Sequence, residues 1–97
     1  MDFVDLQGAS GQTYRFRKWP PTGHHLPIAG NYALVRARGR EVVGLGVVDN
    51  LAEARSQVGA LPPGVAIYTR LNVSRAQREA EHADLAAAHP APKSVAA

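Results

Sequence analysis

Residues 30–48 constrain the fold more than any other part of the chain. They read "GNYALVRARGREVVGLGVV", in which two apolar stretches rich in Val and Leu flank a short basic centre. β-branched residues favour strands, and the "RGR" between the two stretches is typical of a turn. The segment therefore predicts a β-hairpin.

A second hairpin is predicted nearer the N-terminus. In "FVDLQGASGQTYRFRK" two alternating stretches flank the turn-forming "GASG". Alternation places every second side chain on one face of a strand, so Val4 and Leu6 are expected to share one face, and Tyr14 and Phe16 another. The segment that follows, "WPPTGHHLPIAG", contains three of the seven prolines, which cannot continue a ladder of hydrogen bonds. We expect a surface loop there.

The second half of the chain changes period and predicts two helices. Asn50, with Glu53 three residues later, has the spacing of a capping box, and a short helix is expected from about Leu51 to Val58. The segment "VAIYTRLNV" predicts another strand. Ser74 and Gln77 then repeat the capping signal ahead of "RAQREAEHADLAAAH", a long Ala-rich helix that must end near Pro90.

At 97 residues the chain is long enough for one compact domain and too short for two. We predict a single domain over residues 1–90, of the α/β (α+β) class. A small antiparallel sheet with two flanking helices is preceded by the N-terminal hairpin, and residues 91–97 form a flexible tail. Cysteine is absent, which favours a reducing compartment. The N-terminus does not resemble a signal peptide and the longest apolar run is too short to cross a bilayer, so we expect a cytoplasmic protein with no membrane partner.

The basic residues are concentrated in the first half of the chain. Residues 1–40 carry six basic and two acidic side chains, whereas residues 41–97 carry five basic and six acidic ones. A positive field of this kind favours phosphate contacts with DNA or RNA. The expected nucleic-acid-binding residues are Arg15, Arg17, Lys18, Arg36, Arg38 and Arg40. Trp19 follows the first three and is either a stacking surface for a base or, as we favour, an apolar lid over a thin core.

The two stretches of the central hairpin each carry a glycine tripeptide, and the residues after them complete a longer pattern. In chain order the pattern comprises Gly30, Asn31, Tyr32, Gly44, Leu45, Gly46, Asn50, Leu51, Arg55, Glu81 and Pro90. In this order of residues the chain resembles the GIY-YIG nuclease family over nearly its whole length. In the resemblance, Gly46 allows the first helix to pack near its strand.

The resemblance implies a metal-dependent nuclease site. Tyr32 and Arg55 would be its catalytic residues, and Glu81 would hold a Mg or Mn ion, with Glu79 as a competing candidate. Several functional positions depart from the family pattern. Gly44 stands in place of a second tyrosine, Val47 and Val48 replace polar residues, Arg55 is displaced by one position, and Lys93 falls where an asparagine is expected. These departures indicate impaired catalysis.

Three functions therefore compete. We favour a non-catalytic nucleic-acid-binding module that needs no cofactor. A nuclease of altered mechanism would require Mg or Mn. A protein-interaction scaffold would use the fold alone, with a protein as its partner, and the oligomeric state is left open. His24 and His25 are adjacent in a loop, with no third ligand in evidence, so we interpret them as exposed residues rather than metal ligands.

Overall fold

The computed structural model describes residues 3–20 and 23–89. This part of the chain forms, in order, β1 (Phe3–Gln7), β2 (Thr13–Lys18), β3 (Gly30–Arg36), β4 (Val42–Val48), a 3-10 helix (Leu51–Glu53), α1 (Ala54–Val58), β5 (Val65–Leu71) and α2 (Arg75–Ala88). The 3-10 helix leads directly into α1. The predicted hairpins, strand and helices are all present.

The five strands form one antiparallel sheet in the order β1-β2-β5-β3-β4. The predicted α+β class, an antiparallel sheet with two helices, is therefore confirmed. The last strand in sequence lies at the centre, where it pairs with β3 from Gly30–Leu71 to Arg36–Val65. Because β5 also pairs with β2, the N-terminal hairpin belongs to the same sheet as the central hairpin.

The faces of the N-terminal hairpin differ from the sequence prediction. The register pairs Val4 with Phe16 and Leu6 with Tyr14, and all four side chains are buried in one cluster. Residues directly opposite each other in an antiparallel pair point to the same side of the sheet. The expectation of two separate faces was wrong, because alternation within each strand does not reveal how two strands are paired.

The two faces of the sheet carry two separate apolar clusters. Ala33 and Val35 belong to the cluster that contains Leu85 of α2. Leu34, one position away, belongs to the cluster that contains Leu51 and the α1 residues Ala54 and Val58. Successive side chains of a strand point to opposite faces, so α1 and α2 cover opposite sides of the sheet. We call these the α1 face and the α2 face.

Both predicted caps are present. The Asn50 side chain accepts a hydrogen bond from the backbone N–H of Ala52 at 3.0 Å, and Ser74 Oγ accepts one from the backbone N–H of Gln77 at 3.3 Å. Each supplies a partner to an amide that the first turn of a helix leaves unpaired. The Gln77 side chain donates to Glu81 instead of completing a capping box.

The long helix α2 ends at Ala88, close to the predicted end. Pro90 and the predicted tail at 91–97 lie outside the described residues. No helix within the described ranges is long and apolar enough to cross a membrane.

Candidate nucleic-acid interface

A groove opens where β2 and β5 separate, and residues from both faces of the sheet line it. The two strands pair directly only at Arg17 with Thr69 and at Lys18 with Tyr68. Farther along, the side chain of Arg70 bridges them by donating a hydrogen bond to the Arg15 carbonyl at 3.4 Å. The groove has a volume of about 1040 Å³. We call it the basic groove, and its lining residues are Arg15, Arg17, Lys18, Trp19, Pro20, His24, His25, Leu26, Pro27, Thr69, Arg70 and Leu71.

Among residues 3–20 and 23–89, no carboxylate lines the basic groove, although two of its four arginine and lysine side chains have acidic partners nearby. Arg15 donates two hydrogen bonds to the Asp5 carboxylate, at 2.8 and 3.1 Å, and these bonds lower the pKa of Asp5. Arg70 pairs with Glu81 at 2.9 Å. Neither Arg17 nor Lys18 takes part in an ion pair within the described residues. The groove thus offers two cations whose charge is not already neutralised.

Trp19 and His25 form one wall of the basic groove. Their ring centroids lie 5.0 Å apart, and His25 Nε2 lies 2.6 Å from Thr69 Oγ1. His25 Nδ1 lies 3.0 Å from the Leu26 carbonyl oxygen. A carbonyl can only accept, so in the neutral ring Nδ1 donates to Leu26 and Nε2 accepts from the threonine hydroxyl. His25 is thus half-buried and anchored, which corrects the expectation of an exposed loop histidine.

Trp19 itself is only 7% exposed and packs in the α1-face cluster. This confirms the predicted apolar lid, since little of the indole is available for a base to stack on. Its Nε1–H has no hydrogen-bond partner in the described structure. An unpaired buried N–H is destabilising.

The other three predicted nucleic-acid-binding residues lie at the turn between β3 and β4. Arg36 pairs with Glu41 at 3.3 Å, whereas Arg38 and Arg40 are exposed and form no ion pair in the part of the chain that is described. Arg40 adopts a φ of 53°, which is uncommon for a residue other than glycine. We call residues 37–41 the hairpin tip. The six predicted cations therefore form two groups, one at the groove and one at the tip.

Glu81 lies on the α2 face and is 7% exposed. One carboxylate oxygen accepts hydrogen bonds from Arg70 Nε and Asn72 Nδ2, both at 2.9 Å, and the other accepts from Gln77 Nε2 at 3.0 Å. Asn72 also donates to Asn31 Oδ1 at 3.0 Å, and Asn31 in turn donates to a backbone carbonyl of α2 at 3.0 Å. These contacts tie β3, β5 and α2 together. The geometry gives Glu81 a structural role, while its metal-binding role stays a prediction.

Tyr32 lies on the α1 face, and its ring packs across Gly46 of the neighbouring strand. A Cβ atom at position 46 would overlap the tyrosine ring. Burial raises the pKa of the Tyr32 phenol. Gly46 thus makes room for Tyr32 and not, as expected, for the first helix. That helix approaches at Gly30, where a Cβ atom would lie 2.7 Å from Leu51 Cδ1 and would overlap the Arg70 carbonyl oxygen.

The structure does not bring the three predicted catalytic and metal-binding residues together. Tyr32 and Glu81 lie on opposite faces of the sheet, because Asn31, next to Tyr32, is the residue that contacts α2. Arg55 is an exposed residue of α1, and no hydrogen bond or ion pair between described residues links it to Tyr32. Residues 3–20 and 23–89 contain no cluster of three or more His, Asp or Glu side chains suited to a metal ion. Glu79, the alternative candidate, pairs with Arg75 on the helix surface.

The sequence predicted no buried polar contacts for Asn31, Asn72 and Arg78, nor for the partly buried Arg70. Asn31 is 1% exposed and Arg78 is 6% exposed. Arg78 donates to the carbonyls of Asn72 and Val73 at 3.2 and 2.7 Å. One sequence signal for this set was available, namely an asparagine inside an otherwise apolar strand segment, which needs a buried partner.

No protein-family model, curated protein or solved structure matches this chain. The resemblance to the GIY-YIG family remains a prediction from the sequence.

Proposed function

We propose that the protein is a non-catalytic module that binds single-stranded nucleic acid in the basic groove. The observation that carries the proposal is the composition of the described lining, in which four Arg or Lys side chains and two histidines occur without a carboxylate. Arg17 and Lys18 supply the phosphate contacts, since neither forms an ion pair with a described acidic residue. The tip residues Arg38 and Arg40 extend the positive surface for a longer strand.

The apolar part of the lining favours a single strand over a duplex. Leu26 is 57% exposed and Leu71 is 52% exposed beside the cations of the groove. The bases of a single strand can pack on such side chains while its phosphates contact the cations. A duplex presents mainly its phosphate backbone and would leave these leucines without a partner.

The number of available cations sets the expected strength of binding. Each phosphate contact on a single strand contributes about 0.7 to the slope of log affinity against log salt, so two contacts give a slope of about −1.4. Two further contacts, from Arg38 and Arg40 at the tip, would make the slope steeper, at roughly −2.8. Sequence-independent binding of this kind has a dissociation constant on the order of 10⁻⁴ to 10⁻⁶ M.

We place this activity in the cytoplasm, because a chain without cysteine suits a reducing compartment.

The GIY-YIG resemblance fits this proposal if the chain shares the fold of that family but not its catalytic chemistry. The two glycine tripeptides lie in adjacent strands, with Tyr32 opposite Gly46, and α2 is docked on the sheet through Leu85. Both features are compatible with the family comparison. A metal-dependent nuclease has weaker support, because the carboxylate of Glu81 is engaged by three protein donors on the face opposite Tyr32.

The test is fluorescence anisotropy with labelled single-stranded DNA and RNA of about 10 nucleotides, within the usual site size of such grooves. The double variant Arg17→Ala, Lys18→Ala should lose most of the binding and flatten the salt dependence. A control variant, Arg55→Ala with Arg75→Ala, removes the same charge from the two helices and should bind as the wild type does. Absence of binding at low salt, or equal losses in the two double variants, would overturn the proposal.

A further inference from the structure

The outer strand β4 has the sequence "VVGLGVV", which reads the same in both directions. It lies at one edge of the sheet. Its seven residues include no charge and no proline, two features that prevent edge strands from pairing with other chains, and its one protective feature is a β-bulge at Val43, near its N-terminal end. The opposite edge, β1, is shorter and carries Asp5, whose side chain is 43% exposed. The two edges are therefore protected to very different degrees.

The backbone of β4 is paired on one side only. Its strand hydrogen bonds go to β3, and no other segment of the described chain bonds to its backbone. Val47 is 37% exposed. A row of unpaired N–H and C=O groups along an apolar strand is a template for a further strand.

We propose that this edge pairs with β4 of a second copy of the chain, antiparallel, about a two-fold axis through Leu45. In this register Leu45 lies opposite the partner's Leu45, and each glycine lies opposite a glycine. A β-bulge at Val43 interrupts the pairing of β4 with β3 and turns Val42 and Val43 toward opposite faces of the sheet, so the regular ladder between the two copies is centred on residues 44–46. The result is a continuous ten-stranded sheet with a closed, self-complementary interface.

Charge at the end of β4 supports a second copy as the occupant. A groove of about 450 Å³ lies there between the two helices, and its lining includes Asp49, Glu53 and Glu79. Asp49 and Glu79 pair with Arg78 and Arg75, whereas no ion pair of the described residues involves Glu53.

With Leu45 on the axis, the partner's chain continues from Val42 toward its hairpin tip alongside Val48 and Asn50, which brings that tip to this groove. Arg38 and Arg40 of one copy, which form no ion pair among the described residues, thus approach the carboxylate of Glu53 in the other. Glu41 comes close to the partner's Asp49, but each already has an arginine of its own chain at 3.3 Å. The interface therefore joins a positive tip to a groove with one free negative charge.

Sedimentation of the unmodified protein is the first test. The mass should rise with concentration from 10.3 kDa toward twice that value. A mass of one chain at every concentration up to about 1 mM, where even a weak dimer is substantially populated, overturns the proposal.

A cysteine variant tests the register, since the chain contains no other cysteine. Leu45→Cys places two thiols across the axis at a separation that a disulfide can span, so oxidation should give a covalent dimer. Val73→Cys, at a position 75% exposed and outside β4, is the control and should remain monomeric on a non-reducing gel. Equal cross-linking of the two variants would contradict the register.

A charge reversal tests the contact between the tip and the groove without altering β4. Glu53→Arg should weaken dimerisation by about tenfold or more, because it sets like charges together. Mixing it with the Arg38→Glu, Arg40→Glu variant should restore association in the form of a mixed dimer. Failure of the mixture to associate would show that the tip does not reach this groove.

Discussion

Replacing Glu81 with alanine should destabilise the fold far more than a comparable change two residues away. The side chain of Glu81 is 9% exposed and accepts three hydrogen bonds, one of them from Arg70. Removing one member of a buried ion pair costs about 3–5 kcal/mol. The Arg70 side chain is 28% exposed and can recover some hydration, so we expect a value near the lower end, about 3 kcal/mol.

This cost is large for a small protein. Stability scales at roughly 0.05–0.15 kcal/mol per residue, so a chain of 97 residues has about 5–15 kcal/mol in total. Glu79→Ala is the matched control, because it is the same substitution in the same helix. Glu79 pairs with Arg75 at 3.2 Å, but the two side chains are 59% and 82% exposed. An exposed pair of this kind contributes only about 0.5 kcal/mol.

The assay is urea unfolding followed by the fluorescence of Trp19, the only tryptophan, which is buried in the native state. The midpoint for Glu81→Ala should fall well below that of Glu79→Ala, with the slope of the transition unchanged. Equal midpoints would refute the structural role of Glu81. Loss of a metal-dependent activity at unchanged stability would instead support the metal-binding role that the family resemblance implies for Glu81.

Two further predictions concern other contacts of the sheet. Gly46→Ala should destabilise the fold by about 1–3 kcal/mol through overlap with the ring of Tyr32. The added substitution Tyr32→Ala should make the Gly46→Ala change nearly neutral in a double-mutant cycle, whereas simple additivity would rule out the contact. A hydrogen bond from the Ser10 side chain is the main reason why the pKa of Asp84 lies below its ordinary value of 3.8. The ionised Asp84 therefore stabilises the fold above pH 3.8, and this stabilisation is lost as the pH falls through the lowered pKa. The stability difference between the wild type and Asp84→Asn should therefore shrink between about pH 5 and pH 2, and a difference independent of pH would contradict this assignment.

Much of the fold could be predicted from the sequence because its signals are local. The caps at Asn50 and Ser74 act on amides within the next three residues, and they appear as expected. The two hairpins follow from alternation and turn residues within short segments. The end of α2 at Ala88 likewise agrees with the expected stop near Pro90.

The candidate site depended on strand order, which no local pattern reveals. Because β5 lies between β2 and β3, Arg70 faces α2 and meets Glu81, and the basic groove forms where β2 leaves β5. A shift of one residue reverses the face of a side chain, so Asn31 contacts α2 while Tyr32 faces α1. The sequence pattern could not distinguish residues that lie close together from residues separated by the sheet.

The binding of a nucleic acid in the basic groove can be tested directly by a titration followed by two-dimensional ¹H–¹⁵N NMR. Addition of a short single-stranded oligonucleotide should shift the single indole N–H of Trp19 and the backbone amides of Arg17, Lys18 and Thr69 more than any others. Small shifts are expected for the helix surface around Arg75. If the largest shifts map away from the basic groove, or if no resonance moves at low salt, the proposed function is contradicted.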